Sequence, residues 1–260
     1  NEPLDLGGAV DMIEAPTEAA AQTWHIRQPQ VFQRWGINMG GWVQQGITGN
    51  ATDPPDNFNG PLATNDRSGE YQLNQAWMYF VRPTKTDGCG FDLGGRIDMS
   101  YGTDWRFGKN LGLEDRIDSP NQLYGLVLPQ FYFEAAVNNL TLKMGHWATG
   151  MGYEMVPAVG NFFYSHNYLM SYTEPLLVTG VVADYKLNDR WTAVAGLHRG
   201  WMMFEDSNTD WDYITGFRWL SDDKRTGLSF LLDGGEQTNF FGVDHYRTVY
   251  AMVLTHKLTE

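Results

Sequence analysis

No stretch of these 260 residues is apolar for long enough to carry a helix through a bilayer, which takes about 20 consecutive apolar residues. The mean hydropathy is -0.39. A transmembrane helix is therefore excluded. A soluble chain is not, and neither is a β-barrel, in which only alternate strand residues meet lipid. Cysteine is nearly absent, since Cys89 stands alone; this excludes an internal disulfide framework and any multi-cysteine metal motif. With no activating base or cation beside it, Cys89 reads as a plain turn residue. Basic charge is short, with 18 Lys and Arg against 31 Asp and Glu and a net charge of -13. That argues against nucleic acid as a partner, because phosphates demand basic patches. Motifs that carry chemistry are missing as well. His25, His146, His166, His198, His245 and His256 are scattered without metal-ligand spacing, and neither GxSxG nor a P-loop occurs. The expectation is a protein with no catalytic residues, no metal and no cofactor.

What the chain does have is 14% aromatic residues and 29 glycines, the composition of an all-β protein with many short strands and tight turns. The stretch FDLGGRIDMSY places Phe91, Leu93, Ile97, Met99 and Tyr101 on one parity and Asp92, Arg96, Asp98 and Ser100 on the other. Successive strand residues point to opposite faces, so this is a β-strand with one apolar and one polar side. In a soluble protein the apolar side meets a core; in an outer-membrane barrel it meets lipid, and the polar side meets the lumen. Comparable runs predict about ten strands, at Ile37 to Thr48, Gln72 to Arg82, Phe91 to Tyr101, Leu126 to Val137, Leu140 to Trp147, Leu176 to Tyr185, Trp191 to Trp201, Trp211 to Leu220, Arg225 to Asp233 and Tyr246 to Leu258. Residues 1–30 are acidic and Ala-rich and read as a periplasmic tail with one short helix near Met12 to Gln22. Residues 31–260 read as the barrel.

The connections favour the membrane reading. Short turns at Thr84 to Gly90, Asn138-Asn139, Asn188 to Arg190 and Ser221 to Lys224 alternate with long loops at Gly49 to Tyr71, Gly102 to Gly125, Ala148 to Pro175, Met202 to Asp210 and Gly234 to His245. An antiparallel up-and-down barrel with periplasmic turns and external loops sorts its connections in this way. Register agrees, because residues paired across a hairpin share a face. Across Asn138-Asn139, Val137 meets Leu140; across the Ser221 turn, Leu220 is expected opposite Arg225 and Trp219 opposite Thr226. Tyr101, Tyr185, Trp191, Trp211, Trp219 and Tyr246 fall near strand ends, where interfacial girdles sit.

The polar parity supplies the candidate pore lining: Arg82, Asp92, Arg96, Asp98, Gln130, Glu134, Lys143, Asp184, Asp212, Arg218, Asp233 and Arg247, with Arg225 beside them. Its acids and bases balance, so the acidic excess belongs to the tail and loops. The same pattern would also serve the solvated exterior of a soluble barrel or sandwich, acting as a glycan binder or scaffold. Asp92 and Asp98 lie too far apart along their strand for a paired-carboxylate site. The segment Met144 to Tyr168 is long, apolar and poor in charge. Folded into the lumen it would bury Phe162, Phe163 and Tyr164 and present Glu154, Asn161 and His166 as constriction residues; packed across the mouth, it would not.

GGRIDMSYGTDWRF, the GMGYE and NFFYSHNY stretches, and TGVVADYKLNDRWTAVAGLHRGW together resemble the OmpL-like β-barrel porin family of Gram-negative outer-membrane proteins. The resemblance implies an outer-membrane diffusion channel without catalytic residues, embedded in lipid and passing small hydrophilic solutes or ions. A second copy or another cell-envelope component is a further expected partner. It also implies a barrel of roughly sixteen strands, which a solute-wide pore needs, so the chain is expected either to be truncated at its C-terminus or to form a smaller barrel than its relatives.

Overall fold

The computed structural model describes residues 28–119, 121–205, 210–238 and 243–258. The helix expected at Met12 to Gln22, most of the tail, and His25 lie outside these residues. A six-residue helix, α1 (Gln30–Trp35), opens the described chain and stops where Gly36 takes φ 67°. Ten strands follow: β1 (Asn38–Ile47), β2 (Tyr71–Arg82), β3 (Phe91–Gly102), β4 (Gly125–Val137), β5 (Leu140–Ala148), β6 (Leu177–Lys186), β7 (Trp191–His198), β8 (Asp212–Leu220), β9 (Thr226–Thr238) and β10 (Asp244–His256). They form one antiparallel sheet in strict sequence order, with β1 and β10 at its two edges and not paired with each other. Two short helices, α2 (Trp105–Gly108) and α3 (Tyr168–Thr173), lie in the long connections.

The facing of the strands is inverted relative to a soluble sheet. On β3, Phe91 is 64% exposed and Ile97 52%, while Arg96 is 4% exposed and Asp98 fully buried. The apolar parity thus points outward on every side of the hairpins, and the paired Trp219 and Leu228, or Phe217 and Phe230, share it. Ten residue steps of about 3.3 Å from Phe91 to Tyr101, tilted by about 40°, span roughly 25 Å, the height of an outer-membrane apolar band. Aromatics mark both rims. Tyr71, Tyr101, Trp211 and Tyr246 are exposed at the loop end, and Tyr185 and Trp191 at the turn end, where Trp191 and Trp219 lie 6.4 Å apart.

Several details differ from the sequence expectation. Leu220 pairs with Gly227 and Trp219 with Leu228, two residues beyond the predicted partners, because Lys224 takes φ 55° and Ser221 closes the turn onto Thr226. An even shift keeps every side chain on its face. β7 ends at His198 rather than Trp201, where Gly200 and Met202 adopt positive φ. Of the long loop predicted at Gly234 to His245, residues 234–238 lie in β9, which continues through Gly234 and Gly235, and residues 244–245 lie in β10. A Cβ on Gly235 would lie 1.7 Å from Asp212 Oδ1, so this glycine keeps the ladder running past a buried carboxylate rather than ending it.

Candidate functional site

The inward face carries three layers. At the turn end, Glu134, Lys143, Asp184 and Arg218 converge from β4, β5, β6 and β8 around a cavity of about 400 Å³. Glu134 and Lys143 are direct cross-strand partners. Arg218 Nη1 donates to Asp184 Oδ1 at 2.7 Å, Thr84 donates to Glu134, and Lys143 Nζ lies 4.5 Å from the centre of the Tyr132 ring. Acid and base alternate here within reach of water. Asp92 sits below, accepting from Lys85 N at 2.9 Å and from Arg82 Nη2 at 2.9 Å.

Arg82 reaches this layer by an unexpected route. The register sets it opposite Gly95, on the outward parity of Phe80 and Ile97. β2 carries an extra residue, Asn74, between the partners of Gln44 and Gln45, and such a bulge exchanges the two faces beyond it. The Arg82 guanidinium curls round the strand end to Asp92 and lines the cavity all the same.

The middle layer is packed. Arg96 Nε and Nη2 form a bidentate pair with Asp98 at 2.6 and 3.0 Å, with side-chain exposures of 3% and 0%. Trp77 Nε1 donates to Asp98 Oδ2 at 3.0 Å, Gln130 Nε2 approaches it at 3.5 Å, and the Arg96 guanidinium lies 5.0 Å from the Tyr79 ring centre. Beside this group, inward residues of β5 to β9 build an apolar cluster of Trp147, Val178, Val182, Val194, Ile214 and Leu231. The polar-parity reading of the sequence missed this cluster.

At the loop end, His198, Asp212 and Asp233 come from three adjacent strands and offer ligand atoms within 4.8 Å of one another. His198 Nε2 meets Asp233 Oδ2 at 2.7 Å, Trp201 Nε1 donates to Asp233 Oδ1 at 2.8 Å, and Gln237 donates to Asp212. Every one of these carboxylates is already tied by protein donors, so the group is a hydrogen-bonded knot rather than an open coordination site. Arg247 stacks on Trp201 at 4.6 Å. Arg225 is taken up elsewhere, donating to the carbonyls of Lys257 and Leu258. His146 is on the outward parity opposite Phe131, yet fully buried, because Phe204 covers it at 6.3 Å.

Above these layers the 149–176 connection folds back onto the inner face of β1 and β2. Gln75 Nε2 donates to Val156 O at 2.9 Å, Gln75 Oε1 accepts from Ala158 N at 3.0 Å, and Tyr164 donates to Asn74. Burial pushes the Tyr164 phenol up to about 12, with the nearby Asp104 and Tyr71 adding to it. Of the constriction candidates, Asn161 staples Met155 through both its amide atoms, Glu154 accepts from Asn167 N at 2.7 Å, and His166 is 9% exposed. The expected burial of Phe162 and Phe163 does not occur: they are 89% and 68% exposed. The Asn161 staple and the Tyr164 anchor hold the segment on either side of them and turn the two rings outward.

Sequence reasoning also missed Asp66, Arg106 and Asp104, which with Gln72, Asn74 and Gln75 form the polar floor under this connection. Arg106 forks onto Asp66 at 2.8 and 2.9 Å. Burial raises the Asp66 carboxyl's affinity for a proton, but the Arg106 hydrogen bonds and charge outweigh it and hold the group below its ordinary range. The signal lay in QLNQAW, where amides occupy both parities of a strand.

A family model described as "Putative beta-barrel porin-2, OmpL-like" matches residues 36–260. No curated protein and no solved structure gives a match.

Proposed function

The chain belongs to the OmpL-like beta-barrel porin-2 family, and from that premise we propose that it resides in the bacterial outer membrane and passes small hydrophilic solutes or ions by passive diffusion. The observation that carries this reading is the inverted facing of the strands: exposed Phe91, Leu93 and Ile97 suit lipid, while Arg82, Glu134, Lys143, Asp184 and Arg218 line a turn-end cavity of about 400 Å³. Charges of both signs line that cavity, Arg82, Lys143, Lys186, Arg190 and Arg218 against Glu134, Asp184 and Asp189, and such a lining suits water. No catalytic step enters this reading. Outer-membrane lipid is its immediate neighbour, and the 149–176 connection, docked on Gln75 and Asn74, sets the size limit. Glu154 and His166 stand at that constriction, with Asn161 holding its shape.

A second reading is favoured by the apolar cluster around Trp147 and Leu231 together with the buried Arg96–Asp98 pair. A barrel filled across its middle is a sealed scaffold. Single-channel conductance of the full-length protein in planar bilayers separates the two. The porin reading expects discrete steps that grow when Ala148 to Ser165 is deleted. Silence of the parent, of the deletion variant and of a Trp147→Ala, Leu231→Ala double variant would establish the scaffold instead.

A further inference from the structure

A second cavity, of about 170 Å³, lies under the 149–176 connection between the inner face of β2 and β3 and the loop helices. Its walls are apolar and aromatic, from Trp77, Phe107, Val127 and Met170. Its polar lining is Asp104, His166, Thr64, Gln75, Ser100 and Ser171, and two of these carry orphaned atoms. Thr64 Oγ1 is buried without a hydrogen-bond partner, and His166 Nδ1 is likewise unpartnered, with Glu154 Oε2 standing off at 3.5 Å. Thr64 is 5% and His166 9% exposed. Buried polar atoms are satisfied in nearly all native sites, so a pair of orphans facing one cavity points to a missing partner.

The donor and acceptor balance says what that partner is. The nearby amide and guanidinium donors are already engaged. Gln75 Nε2 donates to Asp104 Oδ2 and Val156 O; Asn74 Nδ2 donates to Asp104 Oδ1 at 2.9 Å and Thr64 O at 2.7 Å. Arg106 places its guanidinium on Asp66 and Thr103 O. Acceptor capacity is left over: the carboxylate of Asp104 has further lone pairs, and the unpartnered Thr64 hydroxyl can accept as well as donate. Glu154 and Glu174 deepen the negative surroundings, since Glu154 itself raises Glu174. An anion would be set directly against the Asp104 carboxylate. An ammonium would find acceptors and, in Trp77, an aromatic ring of the kind that attracts cations; the Phe107 ring already carries the Arg106 guanidinium at 5.1 Å.

We propose that this cavity is a binding site for a small organic cation, an ammonium group beside Asp104 carrying a compact apolar body against Trp77, Phe107 and Met170. Burial raises the Asp104 carboxyl's proton affinity against the pull of Asn74 and Gln75, and a bound cation would relieve that. For size, an engineered cavity of about 150 Å³ accepts benzene, so a ligand of about seven or eight non-hydrogen atoms fits. The site stands independently of conductance, since binding is measured on the protein in detergent whether or not ions pass.

The test titrates the full chain in detergent micelles with benzylamine, benzyl alcohol and benzoate, by calorimetry, correcting for micelle partitioning with the same titrations into protein-free micelles. Saturable benzylamine binding at least ten-fold tighter than benzyl alcohol is expected, with no benzoate binding. Asp104→Asn should erase the preference, and Met170→Trp should remove binding altogether. Equal affinity for alcohol and amine, binding of benzoate, or no saturable benzylamine binding by the parent protein overturns the proposal. The parent's amine-to-alcohol ratio decides the matter even if Asp104→Asn does not fold.

Discussion

Replacing Arg96 with Met is the most direct probe of whether the middle of the barrel is packed or wet. The pair with Asp98 is bidentate, with exposures of 3% and 0%. Removing one partner of such a pair leaves a buried charge and costs about 3–5 kcal/mol, against about 1 kcal/mol or less for a pair in water. Trp77 Nε1 stays bonded to Asp98 at 3.0 Å and offsets part of the loss, which sets the expectation near the lower bound, about 3 kcal/mol. That is roughly a hundred-fold in the folding equilibrium. The assay is urea unfolding in lipid vesicles followed by tryptophan fluorescence. Arg96→Met with Asp98→Asn should recover much of the loss, because the orphaned charge is gone. Lys186→Ala, which breaks the exposed pair with Asp189 at 2.9 Å, should leave the midpoint unmoved. A loss below about 1 kcal/mol for Arg96→Met would refute the packed middle layer, since that is the figure for a water-screened pair.

Other perturbations test other parts of the structure. Ile97→Lys on the outward face, where Ile97 is 52% exposed, should cost about 2–4 kcal/mol in vesicles if the position meets the bilayer midplane, and a neutral effect there would remove the lipid-facing assignment. Glu174 is raised to about 6 by burial and then by the Glu154 charge. A carboxyl favoured in its protonated form stabilises the fold below its ordinary value of 4.5 and loses that contribution as pH rises through about 6. Melting temperature should therefore drop across that window in the parent and not in Glu174→Gln; the same drop in both would assign it to another group. Cys89, exposed in the β2–β3 turn, should react with a bulky impermeant maleimide only after the outer membrane is opened. Ready labelling of intact cells would invert the topology.

How much of this was legible in the sequence depends on whether a strand's two faces differ in polarity. β3 announces itself because Asp92, Arg96 and Asp98 alternate with Phe91, Leu93 and Ile97. The interior of β6 to β9 does not. Val178, Val182, Val194 and Ile214 point inward, while Val181, Leu197 and Phe217 share the outward parity, so polarity alone cannot say which face is which. Arg82 was assigned to the wrong parity because a one-residue bulge leaves no compositional mark beyond the crowding of amides at Gln72, Asn74 and Gln75. The knot of His198 with Asp233 joins residues 35 apart, and only the register of β7, β8 and β9 brings them together. The second cavity was invisible for the same reason: Thr64, Asp104 and His166 come from three different loops, and no local pattern relates them.

The docking of the 149–176 connection also bears on the order of assembly. The sheet is a meander in which each strand pairs with its neighbours in sequence, so its wall can zip up through short-range closures. The connection's anchors are of another kind. Gln75 reaches Val156 across 81 residues, Tyr164 reaches Asn74 across 90, and Tyr172 reaches Pro61 across 111. Such contacts carry a high loop-closure entropy and are rewarded only once the wall stands. The wall therefore forms first and the connection settles into it last. In refolding experiments amide protection should appear on β3 to β9 before it appears at Ala158, and an intermediate with a complete wall and an undocked connection should be the last species before the native state.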